Sequence, residues 1–186
     1  MCKSVDYGFT ANSTEDSSGQ KFLRITDIIP KQINWNSVPY CQISDDLLSK
    51  YRIESGDIVI ARTGAGVGVA KRIHNPPVDA VFASYLVRVK PKNTVLSIYL
   101  GTWLESEQYQ YYIQGISYGA GQPQCSAKYL VTFDLVLPPI EILSAFNERI
   151  KSLLDLQKYT NYQMNCLAET RDALLPKLMS GELSVS

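Results

Sequence analysis

EILSAFNERIKSLLDLQKYTNYQMNCLAETRDALL, residues 141–175, runs for 35 positions with neither glycine nor proline. A helix of that length reaches about 52 Å at about 1.5 Å per residue, far more than an average globular helix needs. Pro176 then stops or kinks it, because proline lacks the amide donor and its ring crowds the preceding turn. Within the stretch, Phe146, Ile150, Leu153, Gln157, Thr160, Met164, Leu167, Arg171, Leu174 and Leu178 follow a strict 4-3 alternation, and seven of these ten are apolar. That is the spacing of a coiled-coil seam. Leu154 and Leu156 flank the seam and widen the stripe, as a helix lying on its own domain would require. Length favours a partner helix, because the helix outreaches the small domain it would lie on.

The seam also predicts how two helices pair. An antiparallel pair centred between residues 158 and 159 sets Ile150 on Leu167, Leu153 on Met164, Phe146 on Arg171, and Gln157 on Thr160. The polar pair at the centre fixes register at some loss of stability. A parallel pair would stack Arg171 on Arg171. The expected dimer interface is therefore Phe146, Ile150, Leu153, Gln157, Thr160, Met164, Leu167 and Arg171.

Working back from Pro138-Pro139, residues 1–140 read as short strands separated by turns, with few helices. Phe22-Leu23-Arg24-Ile25 is strand-like. Ser55-Gly56-Asp57 is a turn that leads into Ile58-Val59-Ile60-Ala61, an apolar run suited to a buried strand. Gly64-Ala65-Gly66-Val67-Gly68 turns the chain again, into Val69-Ala70-Lys71-Arg72-Ile73. Ala83 to Val89 alternates as a further strand, and Ile98 to Gln114 reads as one helix. The expected organisation is an α+β (mixed α/β) domain over 1–140 and a dimerising helical spacer over 141–186.

Composition narrows the class. Hydrophobic residues make up 45% and charged residues 19%, as in folded proteins rather than disordered chains. Twelve Tyr against five Phe favour surfaces where a ring packs and a hydroxyl reaches a partner. No apolar run is long enough to span a bilayer, and Met1 to Asp6 lacks a signal-peptide core. Cys2, Cys41, Cys125 and Cys166 are scattered, with no Cys-x-x-Cys pair and a single His74. They read as reduced thiols of a cytoplasmic protein without a zinc site.

The net charge is zero, but its distribution is uneven. Residues 61–92 carry Arg62, Lys71, Arg72, Arg88, Lys90 and Lys92 against Asp79 alone, a net of +5. Residues 1–60 carry a net of −2. The basic run coincides with the glycine loop, whose two readings are a plain hairpin turn and a loop whose amides approach a phosphate beside Arg62, Lys71 and Arg72. Gly64-x-Gly66-x-Gly68 matches neither the dinucleotide nor the phosphate-loop fingerprint, so no cofactor is implied. Asn75-Pro76-Pro77 resembles the core of an adenine-methyltransferase motif, but Val78 stands where a stacking ring is needed, and a turn is the better reading. One histidine and scattered carboxylates supply no catalytic set. Tyr118-Gly119-Ala120-Gly121-Gln122-Pro123-Gln124 is a polar loop ending near Lys128, and glutamine can pair with an adenine edge.

Taken in order, these pieces resemble one family. Phe22 to Ile28, Ser55 to Gly64, Ala83 to Val89 and Gly121 to Gln124 look like successive parts of a target-recognition domain from the specificity subunit of Type I restriction–modification systems. Leu137-Pro138-Pro139, the long helix, and Leu174 to Leu183 look like its junction and helical spacer. Glu141-Ile142-Leu143-Ser144 departs from the Glu-Gln usual there. A full subunit resembles two such units in tandem, so the chain looks like a half-subunit. The resemblance implies a non-enzymatic subunit that binds double-stranded DNA and assembles with methyltransferase subunits, and through them a restriction subunit. It would pair with a second copy or a second recognition half. The residues expected to meet DNA are Arg62, Thr63, Gly64, Gly66, Lys71, Arg72, Tyr118, Gln122, Gln124 and Lys128. The competing readings are a structural coiled-coil protein and a standalone DNA-modifying enzyme.

Overall fold

The structure is a computed structural model that describes residues 1–117 and 124–183. The chain divides into two compact units, Met1–Pro138 and Pro139–Ser186.

The first unit is built around β4 (Ile58–Ala61), whose four residues are all fully buried. An apolar run of this kind suits a strand covered on both faces. β4 pairs antiparallel with β5 (Ala70–Arg72) on one side and with β7 (Leu86–Pro91) on the other, and β7 pairs antiparallel with β1 (Cys2–Tyr7). Side chains alternate along a strand. Ile58 and Ile60 therefore enter one core with Val87, Val89, Leu100, Leu104, Tyr109, Ile113 and Leu130. Val59 and Ala61 enter the other, with Leu23, Ile28, Val38, Ile53, Ile73, Phe82 and Leu86. A second sheet of β3 (Tyr40–Cys41), β2 (Gln20–Leu23) and β6 (Val81–Phe82) carries part of that second core, with β2 and β6 parallel.

Helices cover the first core. α3 (Thr94–Leu104) starts where the Asn93 side chain accepts the Leu96 N–H at 2.9 Å, a capping interaction that asparagine favours. α4 (Glu107–Ser117) follows after a break at Ser106, whose hydroxyl donates to the Trp103 carbonyl at 2.6 Å. The single helix expected over Ile98–Gln114 is thus two, because serine competes locally for backbone groups. α5 (Ala127–Val131) closes the layer, with the Tyr109 hydroxyl donating to the Leu130 carbonyl at 2.9 Å.

Other boundaries also differ from the sequence reading. β2 ends at Leu23, because Asp27 accepts the Arg24 N–H at 2.8 Å and starts the helical turn α1 (Ile25–Ile28). Ala83–Val89 is not one strand: the Leu86 N–H donates to the Ala83 carbonyl at 2.9 Å, turning the chain before β7. α2 (Asp45–Tyr51) and β1 had no clear sequence signature. Asn75 and Asp79 take positive φ angles of 41° and 61°, so Asn75-Pro76-Pro77 lies in a turn.

The glycine loop forms a short 3-10 turn at Gly64–Gly66. Val67, Gly68 and Val69 donate their amides to the carbonyls of Gly64, Ala61 and Gly66. Gly68 has φ +87°, and a Cβ there would lie 2.7 Å from Ile113 Cγ2. A Cβ on Gly66 would lie 3.2 Å from Ile25 Cγ2. These two glycines let β4 and β5 meet under α1 and α4. Gly64 has φ +73°, and among the described residues nothing lies within 4 Å of where its Cβ would be.

The second unit is α6 (Ile140–Met179), a helix of 40 residues. It does not stop at Pro176 but runs three residues further, since proline forfeits only its own amide bond and the surrounding turns are exposed to water. No helix among the described residues is long and apolar enough to cross a membrane.

The glycine contacts give a stability prediction. Gly68→Ala should lower unfolding free energy by at least about 2 kcal/mol through overpacking and a left-handed backbone. Gly64→Ala, which meets only the backbone penalty, should lose about 1 kcal/mol. Denaturant unfolding of the two variants checks the contrast, and equal losses would remove the packing role of Gly68.

Candidate nucleic-acid interface

The first-unit sheet ends at a corner where two distant segments meet. Tyr7 pairs with Val87, and Val87 with Ile60, so Tyr7 shares the face of Ile60. Two residues beyond Ile60, Arg62 returns to that face and seats its guanidinium over the Tyr7 ring, 4.9 Å from the centroid. The backbone of Arg62 is held at both ends. Its N–H donates to the Tyr85 carbonyl at 3.0 Å, and its carbonyl accepts the Cys125 N–H at 2.9 Å. Thr63 pairs with Gln124 as an isolated antiparallel bridge. The Tyr7 hydroxyl then accepts the Ala127 N–H at 2.9 Å, at the start of α5.

Arg62, Thr63 and Gly64 are thereby brought beside Gln124 and one helical turn of Lys128, although about 60 residues separate them in sequence. Gln124 and Lys128 are exposed. Tyr118 and Gln122 lie outside the described residues. Tyr7 and Tyr85, 45% and 58% exposed, flank the corner. Neither was singled out from the sequence; the only hint was the excess of tyrosine over phenylalanine.

The rest of the basic run goes elsewhere, so residues 61–92 do not form one positive face. Lys71 Nζ lies 3.6 Å from Glu105 Oε2 and donates to the Lys31 carbonyl at 3.3 Å. Arg72 packs its stem against Gly101, and its Nε donates to Ser97 Oγ at 2.9 Å. Ser97 in turn donates to the Gly56 carbonyl at 2.6 Å, tying α3 to the turn before β4. Burial lowers the pKa of Arg72. Arg88 is buried on the opposite face of the sheet, where it donates to Asp6 Oδ2 at 2.8 Å and to the carbonyls of Arg52 and Lys50 at 2.7 and 3.2 Å. The Asp6 carboxyl sits below its ordinary range: burial pushes it up, and the hydrogen bonds from Arg88 and Ser4 outweigh that. Lys90 pairs with Glu54 at 2.7 Å. Gly66 is buried under α1.

Among the described residues, no three His, Cys, Asp or Glu side chains gather closely enough to hold a metal ion. A cavity of about 250 Å³ is lined by apolar residues such as Leu100, Leu104 and Phe133, with the Cys2 thiol pushed up by burial.

On α6 the seam is largely uncovered. Leu153, Met164 and Leu167 are 61–69% exposed, Gln157, Thr160 and Arg171 are exposed, and Phe146 and Ile150 are half-buried. Thr160 Oγ1 donates to the Leu156 carbonyl at 3.0 Å, and Arg171 pairs with Asp172 at 2.7 Å. An apolar stripe of this extent is exposed along the helix.

Comparison with known proteins points the same way as this geometry. No protein-family model matches the chain. It is 19% identical over 188 residues to the Type I restriction enzyme EcoKI specificity subunit of Escherichia coli K12, covering 95% of this chain and 40% of that protein. It is 25% identical over 178 residues to the Type I restriction enzyme MjaVIII specificity subunit of Methanocaldococcus jannaschii, covering 90% of this chain and 41% of that protein. A solved structure from a type I R-M system matches with a TM-score of 0.54 at 16% identity, over 95% of this chain and 43% of that one. The α+β fold with its long C-terminal helix is therefore one found in such systems. The chain spans about two fifths of the length of the curated relatives it matches.

Proposed function

From this kinship with Type I specificity subunits, we propose that the chain reads one half of a bipartite DNA sequence for a restriction–modification complex. The observation that carries the reading is the corner itself. Arg62-Thr63-Gly64, at the end of one stretch that resembles part of a recognition domain, and Gln124, at the end of another, are fastened to each other through the backbone. With Lys128, they present a cation that meets no carboxylate among the described residues, an exposed amide and an exposed lysine at one place, which suits a mixture of phosphate and base-edge contacts. The chain chooses the site, and methyltransferase subunits carry the chemistry. Genomic DNA from cells that hold the gene with its methyltransferase subunits should carry a methylated motif that vanishes when the gene is deleted. The purified chain alone should bind no S-adenosylmethionine in a calorimeter; binding would point to an enzyme.

Within this function the residues divide by role. Thr63, Gly64, Gln124 and Lys128 belong to the DNA-facing corner with Arg62, and Tyr118 and Gln122 belong to the same loop by sequence. Lys71, Arg72 and Gly66 serve the fold. Their side chains or packing positions are already occupied by Glu105, Ser97 and Ile25. Lys128→Ala should weaken binding to all duplexes and shallow the salt dependence by about one unit. Gln124→Ala should instead change sequence preference. Lys71→Ala should leave the salt slope unaltered, and a slope reduced as much as in Lys128→Ala would return Lys71 to the interface.

Two copies, paired through α6, would supply the two recognition units that the resemblance implies for a full subunit. The uncovered seam supports this, and its polar centre supports an antiparallel register. With the native cysteines removed, chains carrying Gln157→Cys mixed with chains carrying Thr160→Cys should crosslink readily. Chains carrying Ile150→Cys alone should not. Ready 150-to-150 crosslinking without any between 157 and 160 would mean that the helices run parallel.

A further inference from the structure

Arg62 differs from most of the cations of residues 61–92 in what surrounds it. Lys71, Arg88 and Lys90 each meet a carboxylate, at 3.6, 2.8 and 2.7 Å. Arg62 instead meets the ring of Tyr7, and its Nε is buried with no hydrogen-bond partner among the described residues. A guanidinium stays charged at any physiological pH, so one with no carboxylate beside it favours an acceptor that a partner brings.

The group is also unusually well fixed. Its main chain is held by Tyr85 on one side and Cys125 on the other. The ring beneath it is held by the β1–β7 register and by the hydrogen bond from Ala127 to the Tyr7 hydroxyl. A phosphate contact needs charge and tolerates a mobile side chain, whereas a base contact needs a fixed plane and a fork in a set direction.

We propose that Arg62, seated over Tyr7, pairs its fork with the O6/N7 edge of a guanine in the major groove, and that Tyr7 is the positioning residue for that contact. This rests on the DNA-reading function proposed above. It assigns Arg62 to base selection rather than to phosphate neutralisation, and it adds to the site a residue whose ring and hydroxyl both act on the geometry of the corner. Arginine to guanine is the commonest specific contact in the major groove because both acceptors of that edge face one fork.

The test is selection by the full chain from a pool of duplex DNA with a randomised region, comparing wild type with Arg62→Lys, Tyr7→Leu and Tyr7→Phe. Wild type should select a motif with an invariant guanine. Arg62→Lys, which keeps the charge and loses the fork, should retain the salt slope and lose about tenfold in preference at that guanine. Tyr7→Leu should lose the same preference, and Tyr7→Phe, which keeps the ring, should largely retain it. Replacing the selected guanine by 7-deazaguanine should weaken wild type about tenfold and leave Arg62→Lys unchanged. If 7-deazaguanine at the selected position leaves wild type unweakened, Arg62 makes no contact to that base edge; the base assignment falls while DNA reading stands. If wild type selects no motif, the DNA-reading function fails and this assignment with it. Because Arg62→Lys does not alter the ring, the test survives any folding defect in Tyr7→Leu.

Discussion

β4 has no solvent side. Ile58 and Ile60 face the helical layer and Val59 and Ala61 face the second sheet, so each neighbouring element must arrive on the correct face or leave an apolar strand in water. Burial of a side chain of this size is worth roughly 1.5–3 kcal/mol, and a one-residue slip would exchange the two faces. The turn at Gly56, the glycines that follow β4 and the crossing of α3 at Gly101 all serve that double covering. The corner at Arg62 depends on it as well, because the parity that buries Ile60 is what sets Arg62 above Tyr7.

Charge is distributed by the same constraint. A buried sheet with basic residues on its strands must either neutralise them or bring them out at its ends. Arg88 takes the first course, with a carboxylate and two carbonyls around it; Lys71, Arg72 and Lys90 are held at the margins by Glu105, Ser97 and Glu54. Arg62, just past the end of β4, takes the second. Of the six cations in this run, four thus become internal fastenings, Arg62 comes out at the corner and Lys92 stays exposed just past β7, so the run does not form one basic face.

Much of this was legible in the sequence where a pattern is local. The long helix follows from an uninterrupted stretch with a 4-3 repeat, and β4 follows from four consecutive apolar residues before a glycine loop. What was illegible depends on partners distant in the chain. The break at Ser106 turns on a hydroxyl that can serve a helix or end it. The start of β7 at Leu86 turns on a hydrogen bond back to Ala83. β1 has weak alternation, since Val5 and Tyr7 are its only large apolar side chains, and it becomes a strand because β7 offers an edge. With β1 unread, Tyr7 had no reason to be noticed. The mixed fate of the basic residues was equally hidden, because Glu105 and Ser97 lie 34 and 25 positions from the residues they hold.

The fastening between Thr63 and Gln124 is made by main-chain atoms, as is the bond from Cys125 to Arg62. Such bonds are indifferent to the side chains at those positions, so 63 and 124 can mutate without loosening the corner. Tyr7 and Arg62 have no such freedom, because there the side chains themselves make the contact. The corner therefore separates into a fixed joint and an exchangeable surface. A lineage could pass through many variants at the surface while each intermediate remained folded, and diversity would accumulate there faster than in the joint that carries it.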